Sequence, residues 1–379
     1  MKSKTNGNGY SKESRESLKV VSFFAGAGGL DRGFEDAGFN VIWANEYDRS
    51  IWKTYEANHT KTKLIGRSIT DIESEEVPDC DGIIGGPPCQ SWSEAGALRG
   101  IKDQRGQLFF DFMRILADKR PKFFLAENVA GMMLPSNWQA LQNILGLFEE
   151  CGYNLSFAKL NAADYGVPQD RKRVFFVGFR KDLGIRFDFP KPTTPKVRVT
   201  LREAIGDLAA SAIPAAKNNR TNGTQCAAPN HEYMVGGYSP IFMSRNRVRD
   251  WDEVSFTIQA GARHAPLHPQ APKMRFIEQD KRAFESGFEH LYRRLTVREC
   301  ARVQTFPDTF IFHYENVVDG YKMIGNAVPV LLANHLAVQI KKELSRANDS
   351  LPSFETLAEL RALTGNHIRE RMLEIVNAT

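Results

Sequence analysis

The residue of this chain best placed to do chemistry is a cysteine set in a rigid turn. It stands in Gly85-Gly86-Pro87-Pro88-Cys89-Gln90-Ser91, directly after the run Cys80-Asp81-Gly82-Ile83-Ile84. That run reads as a buried strand, and two glycines followed by two prolines permit neither strand nor helix beyond it. Such a turn holds a small nucleophile over the carboxyl end of a sheet, where open α/β folds place their ligands. A thiol suits attack on an electron-poor ring carbon, because sulfur is strongly nucleophilic and can later be expelled. Taken alone, Pro88-Cys89 reads more readily as a buried loop cysteine. Motifs elsewhere in the chain reverse that preference.

A second constellation is Phe24-Ala25-Gly26-Ala27-Gly28-Gly29, which lies between a strand candidate and a helix candidate. Dinucleotide folds put their glycine turn at this point. Glu46 follows the second strand about 20 residues on, where a carboxylate can accept both ribose hydroxyls. Tyr47 beside it could stack on an adenine. A nicotinamide or flavin dinucleotide and S-adenosylmethionine both fit, as does a turn with only a packing role. Coupled to a cysteine nucleophile, the methyl donor is favoured.

The elements that must position these groups alternate regularly. Leu18–Phe24, Val41–Ala44, Gly82–Ile84, Phe123–Ala126 and Val174–Gly178 read as strands. Leu30–Ala37, Ile51–Asn58, Leu108–Ala117 and Trp138–Cys151 read as helices between them. Alternation of this kind implies a mostly parallel sheet covered on both faces. It stops near Phe189-Pro190-Lys191-Pro192. Residues 196–290 hold short apolar pieces among Asn, Gly, Pro, His and Arg, as expected of strands and long loops. The βα character returns at Gly325-Asn326-Ala327-Val328-Pro329 and a helix over Val330–Arg346. Ser353–Ile375 reads as an amphipathic appendage. The expected division is a disordered tail over 1–17, a catalytic domain over 18–190, a smaller irregular domain over 191–310, a return over 311–346, and a helical appendage over 347–379.

At 379 residues the chain can bury a sizeable core. No run of ~18 apolar residues suits a membrane span, and the N-terminus lacks a signal peptide's apolar stretch, so a cytoplasmic protein is expected. Cys80, Cys89, Cys151, Cys226 and Cys300 form no CxxC pair, which predicts reduced thiols and no metal site. The net charge is +5, but residues 1–19 carry five Lys/Arg against two Glu, leaving +2 for the remainder. Whole-chain charge therefore says little about a nucleic-acid partner, and only local clustering can argue for one.

Five separated segments fit one family in one order: Phe24–Gly29, Pro87-Pro88-Cys89-Gln90, Glu127-Asn128-Val129, Gln169-Asp170-Arg171-Lys172-Arg173, and Gly325-Asn326-Ala327-Val328-Pro329. Across roughly residues 18–345 the chain resembles the cytosine-C5 DNA methyltransferases. Arg293 to Pro307 also looks like the block preceding the final motif. Ile51–Glu56, Ile241–Arg249 and Ile311–Glu315 resemble the GGCC-specific (HaeIII-type) modification methylases within that family. The resemblance implies an α/β, Rossmann-like S-adenosylmethionine-dependent methyltransferase domain with a smaller, irregular, β-rich target-recognition domain. It implies a cofactor cradle of Phe24, Ala25, Gly26, Gly28, Gly29, Leu30, Glu46, Tyr47, Ser68, Ile69, Leu108, Asn326, Ala327 and Val328. Family members usually carry an acidic residue near the adenine amino group after the third strand. Here Ser68 stands there, with Asp71 three residues on.

The chemistry follows from cytosine, whose C5 is a poor nucleophile. Cys89 as thiolate would add to C6 and push electron density onto C5. Glu127 would protonate or hydrogen-bond N3, which needs a carboxyl with a raised pKa. Arg171 and Arg173 alternate in a strand-like segment and would face one side, to bind O2, orient Glu127 or hold a phosphate. Structural roles stay open for each: a helix cap for Glu127, surface ion pairs for the arginines. The target base must be flipped out of the duplex to reach such a site. Ser91 to Gly106, polar and holding three glycines, is expected to be a mobile loop that closes on DNA. Arginine forks match the guanine O6/N7 edge, so Arg245, Arg247 and Arg263 are the expected base readers, with Lys273 and Arg275 on phosphate. Thr257-Ile258-Gln259 resembles the short motif that abuts the flipped base.

The reading is a DNA (cytosine-5-)-methyltransferase acting on the inner cytosine of duplex GGCC, as part of a restriction-modification system. It is expected to be a monomer whose cognate nuclease it does not contact. An RNA cytosine methyltransferase on the same motifs and a non-catalytic DNA-binding regulator are the competing readings.

Overall fold

The computed structural model describes residues 17–88 and 104–346. The expected tail to residue 16, Cys89 with Gln90, the expected loop as far as residue 103, and the expected C-terminal appendage from residue 347 lie outside the described residues. Seven strands form one sheet: β1 (Lys19–Phe23), β2 (Asn40–Asn45), β3 (Lys63–Ile65), β4 (Gly82–Gly85), β5 (Phe123–Val129), β6 (Tyr153–Asn161) and β7 (Lys172–Arg180). Their order is β3-β2-β1-β4-β5-β7-β6. The first five are mutually parallel, while β7 runs antiparallel to both β5 and β6. The chain moves outward one way from β1 to β3 and the other way from β4 to β5. The switch between β1 and β4, where Phe23 pairs with Gly85, is thus the crevice for a ligand.

Successive side chains of these strands point to opposite faces, and both faces are covered. Val21, Phe23, Ile83, Phe124 and Phe176 join one buried cluster with Phe112, Leu116, Ile144 and Phe148. The last four come from α3 (Gln104–Lys119) and α4 (Trp138–Glu150). Val20, Val41, Ile84, Phe123, Leu125 and Val177 join the opposite cluster with Phe34, Leu336 and Ile340. These come from α1 (Gly29–Asp36) and the late α8 (Val330–Arg346). α2 (Arg49–Asn58) follows β2 and starts on Asp48, whose side chain accepts from the Ser50 amide.

Beyond β7 the chain is built of short pieces. α5 (Leu201–Ile205), β8 (Ile213–Pro214), β9 (Glu232–Tyr233), β10 (Arg275–Glu278) and β11 (Lys281–Ala283) precede α6 (Val297–Val303) and α7 (Val317–Asn326). A small core of Phe242, Val248, Leu267, Ala271, Met274 and Tyr292 holds the loops together. A larger one joins Leu201, Ile258, Leu295, Phe306 and Tyr321 to Ala27 and Ile51 near the first strand. α6 begins with a capping box between Thr296 and Glu299, and Arg293 grips Glu299 with two bonds of 2.8 Å. By length and composition alone Val317–Arg346 is apolar enough to cross a membrane, although polar residues such as Asn326, Asn334 and His335 interrupt it. It spans two helices, and 67% of its most apolar window is buried inside the protein.

α1 and α8 cross without side-chain spacing at Gly33. A Cβ there would come within 2.4 Å of the Ala333 Cβ and 2.7 Å of the Val330 carbonyl oxygen. Gly33→Val should therefore lower stability by about 3 kcal/mol, the upper end for overpacking, because backbone has to move. Urea unfolding followed by circular dichroism checks this, and an unchanged midpoint would contradict the packing.

Candidate active site

A cavity of about 400 Å³ opens at the switch point, within the size range of small-molecule sites. Its walls are the carboxyl ends of β1, β4 and β5, the glycine turn, and the segment between α7 and α8. Phe24, Ala25, Gly26, Gly29, Leu30, Glu46, Pro87, Pro88, Glu127, Arg171, Arg173, Asn326, Ala327 and Val328 all line it. Phe24 sits there at φ 54, a left-handed conformation costly for an aromatic residue.

Glu46 is fixed from both sides. Its carboxylate accepts from the Gly26 amide at 2.9 Å and from the Asp48 amide at 2.7 Å. Burial pushes its pKa up while these two amides pull it down. Lys322 of α7 pairs with Asp48 at 2.7 Å and so ties the last helices to this corner. Asn45 donates to the carbonyls of Ile65 and Arg67 at 3.1 and 2.7 Å, which sets the chain leaving β3.

At the other end, the β5 residue Glu127 meets the β7 residue Arg173, with Nε to Oε1 at 3.0 Å. Burial raises the Glu127 pKa, and the positive charges of Arg173 and Arg171 lower it. Asn128 donates to the Pro87 carbonyl at 3.0 Å and its own oxygen accepts from the Val129 amide. This pins the end of β5 to the turn that leads into Cys89. Cys89 itself lies outside the described residues, one position beyond Pro88 on the cavity wall.

Arg171 is 1% exposed and works differently from Arg173. It donates to the carbonyls of Ile258, Gly325 and Ala327, each at 3.0 Å. Burial, then the neighbouring Arg173 charge, lowers its pKa to about 9, with Glu127 opposing, so it stays a cation at neutral pH. Three of its five donors are thus committed to backbone, and its buried Nε has no partner among the described residues. Gln169 extends the joint: its oxygen accepts from the Ile258 amide and its nitrogen donates to Gln304 at 2.7 Å.

A family model for C-5 cytosine-specific DNA methylases matches residues 18–342. The chain belongs to this family. The Type II methyltransferase M.FnuDI of Fusobacterium nucleatum is 58% identical over 329 residues, 86% of this chain and 95% of the relative. M.NgoPII of Neisseria gonorrhoeae is 58% identical over 332 residues, 87% and 97% of the two chains. The methyltransferase EhMeth of Entamoeba histolytica shares the fold, with a TM-score of 0.63 at 16% identity over 87% of this chain and 99% of its own. This DNA methylase is therefore an enzyme acting on cytosine C5 in DNA, with the α/β methyltransferase architecture its motifs imply.

Other anticipated residues of the methylase fall outside that cavity's lining. Tyr47 is 75% exposed, Ile69 is buried in the core with Leu108 against it, and Ser68 caps the short turn Ile69–Asp71 through the Thr70 amide. Gly28 is a packing residue, set against the buried His59 ring. In the irregular region a second cavity, of about 220 Å³, is lined by Asp170, Arg245, Arg247, Thr257, Gln259 and His264 among others. Arg247 is not free to read a base with its whole fork. Its Nε donates to the Phe242 carbonyl at 2.8 Å and its Nη2 to that of Ile241 at 3.0 Å, with the guanidinium over the Phe242 ring. Thr257 donates to the Asp170 carbonyl at 2.6 Å. Arg263 is exposed on a short turn. Lys273 pairs with Asp250 at 2.6 Å.

Sequence reading missed Asn45, His59 and Lys322. Only Asn45, a polar residue closing an apolar strand, carried a visible signal. Arg171→Leu should unfold the methylase more readily by ~3 kcal/mol or more, since three buried carbonyls lose their donor at about 1–3 kcal/mol each. Urea denaturation tests it, and a loss under ~1 kcal/mol would contradict the clamp.

Proposed function

We propose that the methylase uses S-adenosylmethionine to methylate C5 of the inner cytosine of duplex GGCC, as the modification half of a restriction-modification system. The observation that carries this reading is the shared cavity, which brings Glu127–Arg173, the glycine turn with Glu46, and the Pro87-Pro88 approach to Cys89 onto one wall system. The sequence specificity rests on the resemblance of Ile51–Glu56, Ile241–Arg249 and Ile311–Glu315 to GGCC methylases. Residues 191–310 would carry base reading, with Arg245 and Arg263 the better placed of the three arginines.

The cavity's residues suit the cofactor: a glycine turn open to close approach, a carboxylate fixed for ribose hydroxyls, and a small-residue wall at Ala327 and Val328. When bound, S-adenosylmethionine supplies an electrophilic methyl group. Cys89 as thiolate forms a bond to C6 of the flipped cytosine. Glu127, held by Arg173, donates a proton to N3 and so relieves the charge that the addition creates. C5 then carries the electron pair that takes the methyl group. The C5 proton then passes to solvent, its electron pair re-forms the C5–C6 double bond, the C6–sulfur bond breaks to return Cys89 as thiolate, and N3 returns its proton to Glu127. Arg171 acts through position alone, keeping the wall at Gly325 and Ala327 in register with β7.

Incubating plasmid with the enzyme and S-adenosylmethionine should make every GGCC site resistant to a GGCC-cutting nuclease. Full cleavage alongside labelled methyl incorporation would overturn the specificity but not the chemistry. Glu127→Gln should lower the methyl-transfer rate by about 10²–10⁴-fold, the range for a positioned acid, while duplex binding persists. Because burial raises the Glu127 pKa, the proton-donating form is depleted as pH rises through that raised value. The wild-type rate should therefore decline on that limb, and the variant should lose it. Single-turnover rates across pH decide this, and an identical profile in the variant would assign the limb to another group.

A further inference from the structure

Four residues from two helices form a ladder beneath the glycine turn. α1 contributes Asp31 and Glu35, one turn apart, and α2 contributes Tyr55 with His59 just past its last residue. The Tyr55 hydroxyl donates to Asp31 at 2.5 Å, and the Ser22 hydroxyl at the end of β1 donates to the other Asp31 oxygen at 2.6 Å. His59 stacks on Tyr55 with ring centroids 4.4 Å apart, and Phe310 closes its edge at 5.8 Å. Its Nδ1 lies 3.1 Å from the Glu35 carboxylate. The imidazole side chain is fully buried, and its Nε2 has no hydrogen-bond partner among the described residues.

That far edge of the ring is set against Gly28. A Cβ on Gly28 would fall 2.0 Å from His59 Nε2, and Gly28 itself sits at φ 86. The Gly28 amide closes the turn onto the Ala25 carbonyl at 2.9 Å, and the adjoining Gly26 amide meets Glu46. The Ala25 amide also bonds the Asn45 carbonyl at 3.1 Å and Ala27 is packed in a core, so the imidazole limits how far the turn can settle at Gly28.

We infer that His59 is a positioning residue for the cofactor turn, seating Gly28 and with it the Gly26 amide at the height that S-adenosylmethionine requires. This rests on the cofactor reading proposed above. Its ring is braced by stacking on Tyr55 and by the Glu35 bond, and it contributes nothing to the reacting atoms. Removing its far edge leaves space into which the turn can sink, and cofactor affinity falls without any change to Cys89, Glu127 or the DNA-reading surface.

The test measures binding of S-adenosylmethionine and its demethylated product by calorimetry on the full chain. His59→Asn keeps a donor towards Glu35 but vacates the ring edge. It should bind both at least ~10-fold more weakly, while kcat at saturating cofactor and KM for DNA stay within about twofold, the split expected for lost ground-state positioning. Gly28→Ala should cost ~100-fold in the wild type and no more than about tenfold in the His59→Asn background, where the collision is gone. Equal costs in both backgrounds, or unchanged affinity in His59→Asn, would overturn the inference. Should His59→Asn fail to fold, ¹⁵N-histidine spectra of the unmodified protein decide: the His59 Nε2 signal should shift when the demethylated product is added, and a static signal rules the role out. Wild-type protein that binds no S-adenosylmethionine would remove the cofactor reading and this inference together. Wild-type binding matched by His59→Asn removes this inference alone.

Discussion

One buried cation holds the working parts of this methylase in register. Arg171 gives up all contact with water, a loss of several kcal/mol for an ion in a protein interior. Three charge-assisted bonds to the carbonyls of Ile258, Gly325 and Ala327 offset it. Those carbonyls belong to two stretches far apart in sequence, and the arginine belongs to a third. Ile258 lies within the irregular region, whereas Gly325 and Ala327 flank the break between α7 and α8. The Gln169–Gln304 pair repeats the same connection a few residues away, with Gln304 donating onward to the Ile324 carbonyl at 2.8 Å. The region that carries Arg245 and the wall that faces the cavity at the β1–β4 switch are therefore fixed to the start of β7 by the same few bonds. A shift of either would leave buried carbonyls unpaired.

The cavity exists because the sheet reverses its winding between β1 and β4. At that switch the glycine turn, the Pro87-Pro88 turn and the end of β5 face one another across the cavity. Each is then locked separately. Glu46 takes the Gly26 amide, Asn128 takes the Pro87 carbonyl, and Arg173 takes Glu127. On the cavity wall strain is accepted at Phe24, whose left-handed backbone costs on the order of 1–3 kcal/mol. That residue lines the cavity, where such strain tends to accumulate.

Much of this was legible in the sequence. β-branched and aromatic runs marked β1, β2, β4, β5 and β7 because each is buried on both faces. β6 was invisible because it is an edge strand of mixed character, with Asn154, Ser156 and Lys159 interrupting its apolar residues. α7 was missed because Tyr314 to Gly325 carries glycines and charges at helical positions, and its helix is stabilised by the core around Tyr321 rather than by propensity. Among the site residues, motifs located Gly26, Glu46, Glu127 and Arg173 on the cavity wall. They could not separate Arg173 from Arg171, since alternation along a strand gives facing but not depth. Nor could they separate Gly28 from Gly26, because a neighbour 31 residues later, His59, decides which glycine serves packing. Arg247 likewise carried the right chemistry for guanine, and only the fold shows two of its donors turned to backbone.

The arginine pair beside Glu127 looks at first like an obstacle to protonating it, since two positive charges favour the carboxylate. The balance comes out otherwise because burial is the largest influence on Glu127 and acts in the opposite direction. Arg171 acts on the carboxyl by charge alone, its Nη donors being turned to backbone carbonyls. Arg173 pairs with Glu127 through its Nε at 3.0 Å, which holds the carboxyl in place. What results is an acid group held in place by a cation yet still able to carry a proton. Such a carboxyl can both carry a proton and give it up. A carboxylate fully neutralised by a paired fork could not donate, and a carboxyl buried without any cation would not readily ionise to let the proton leave.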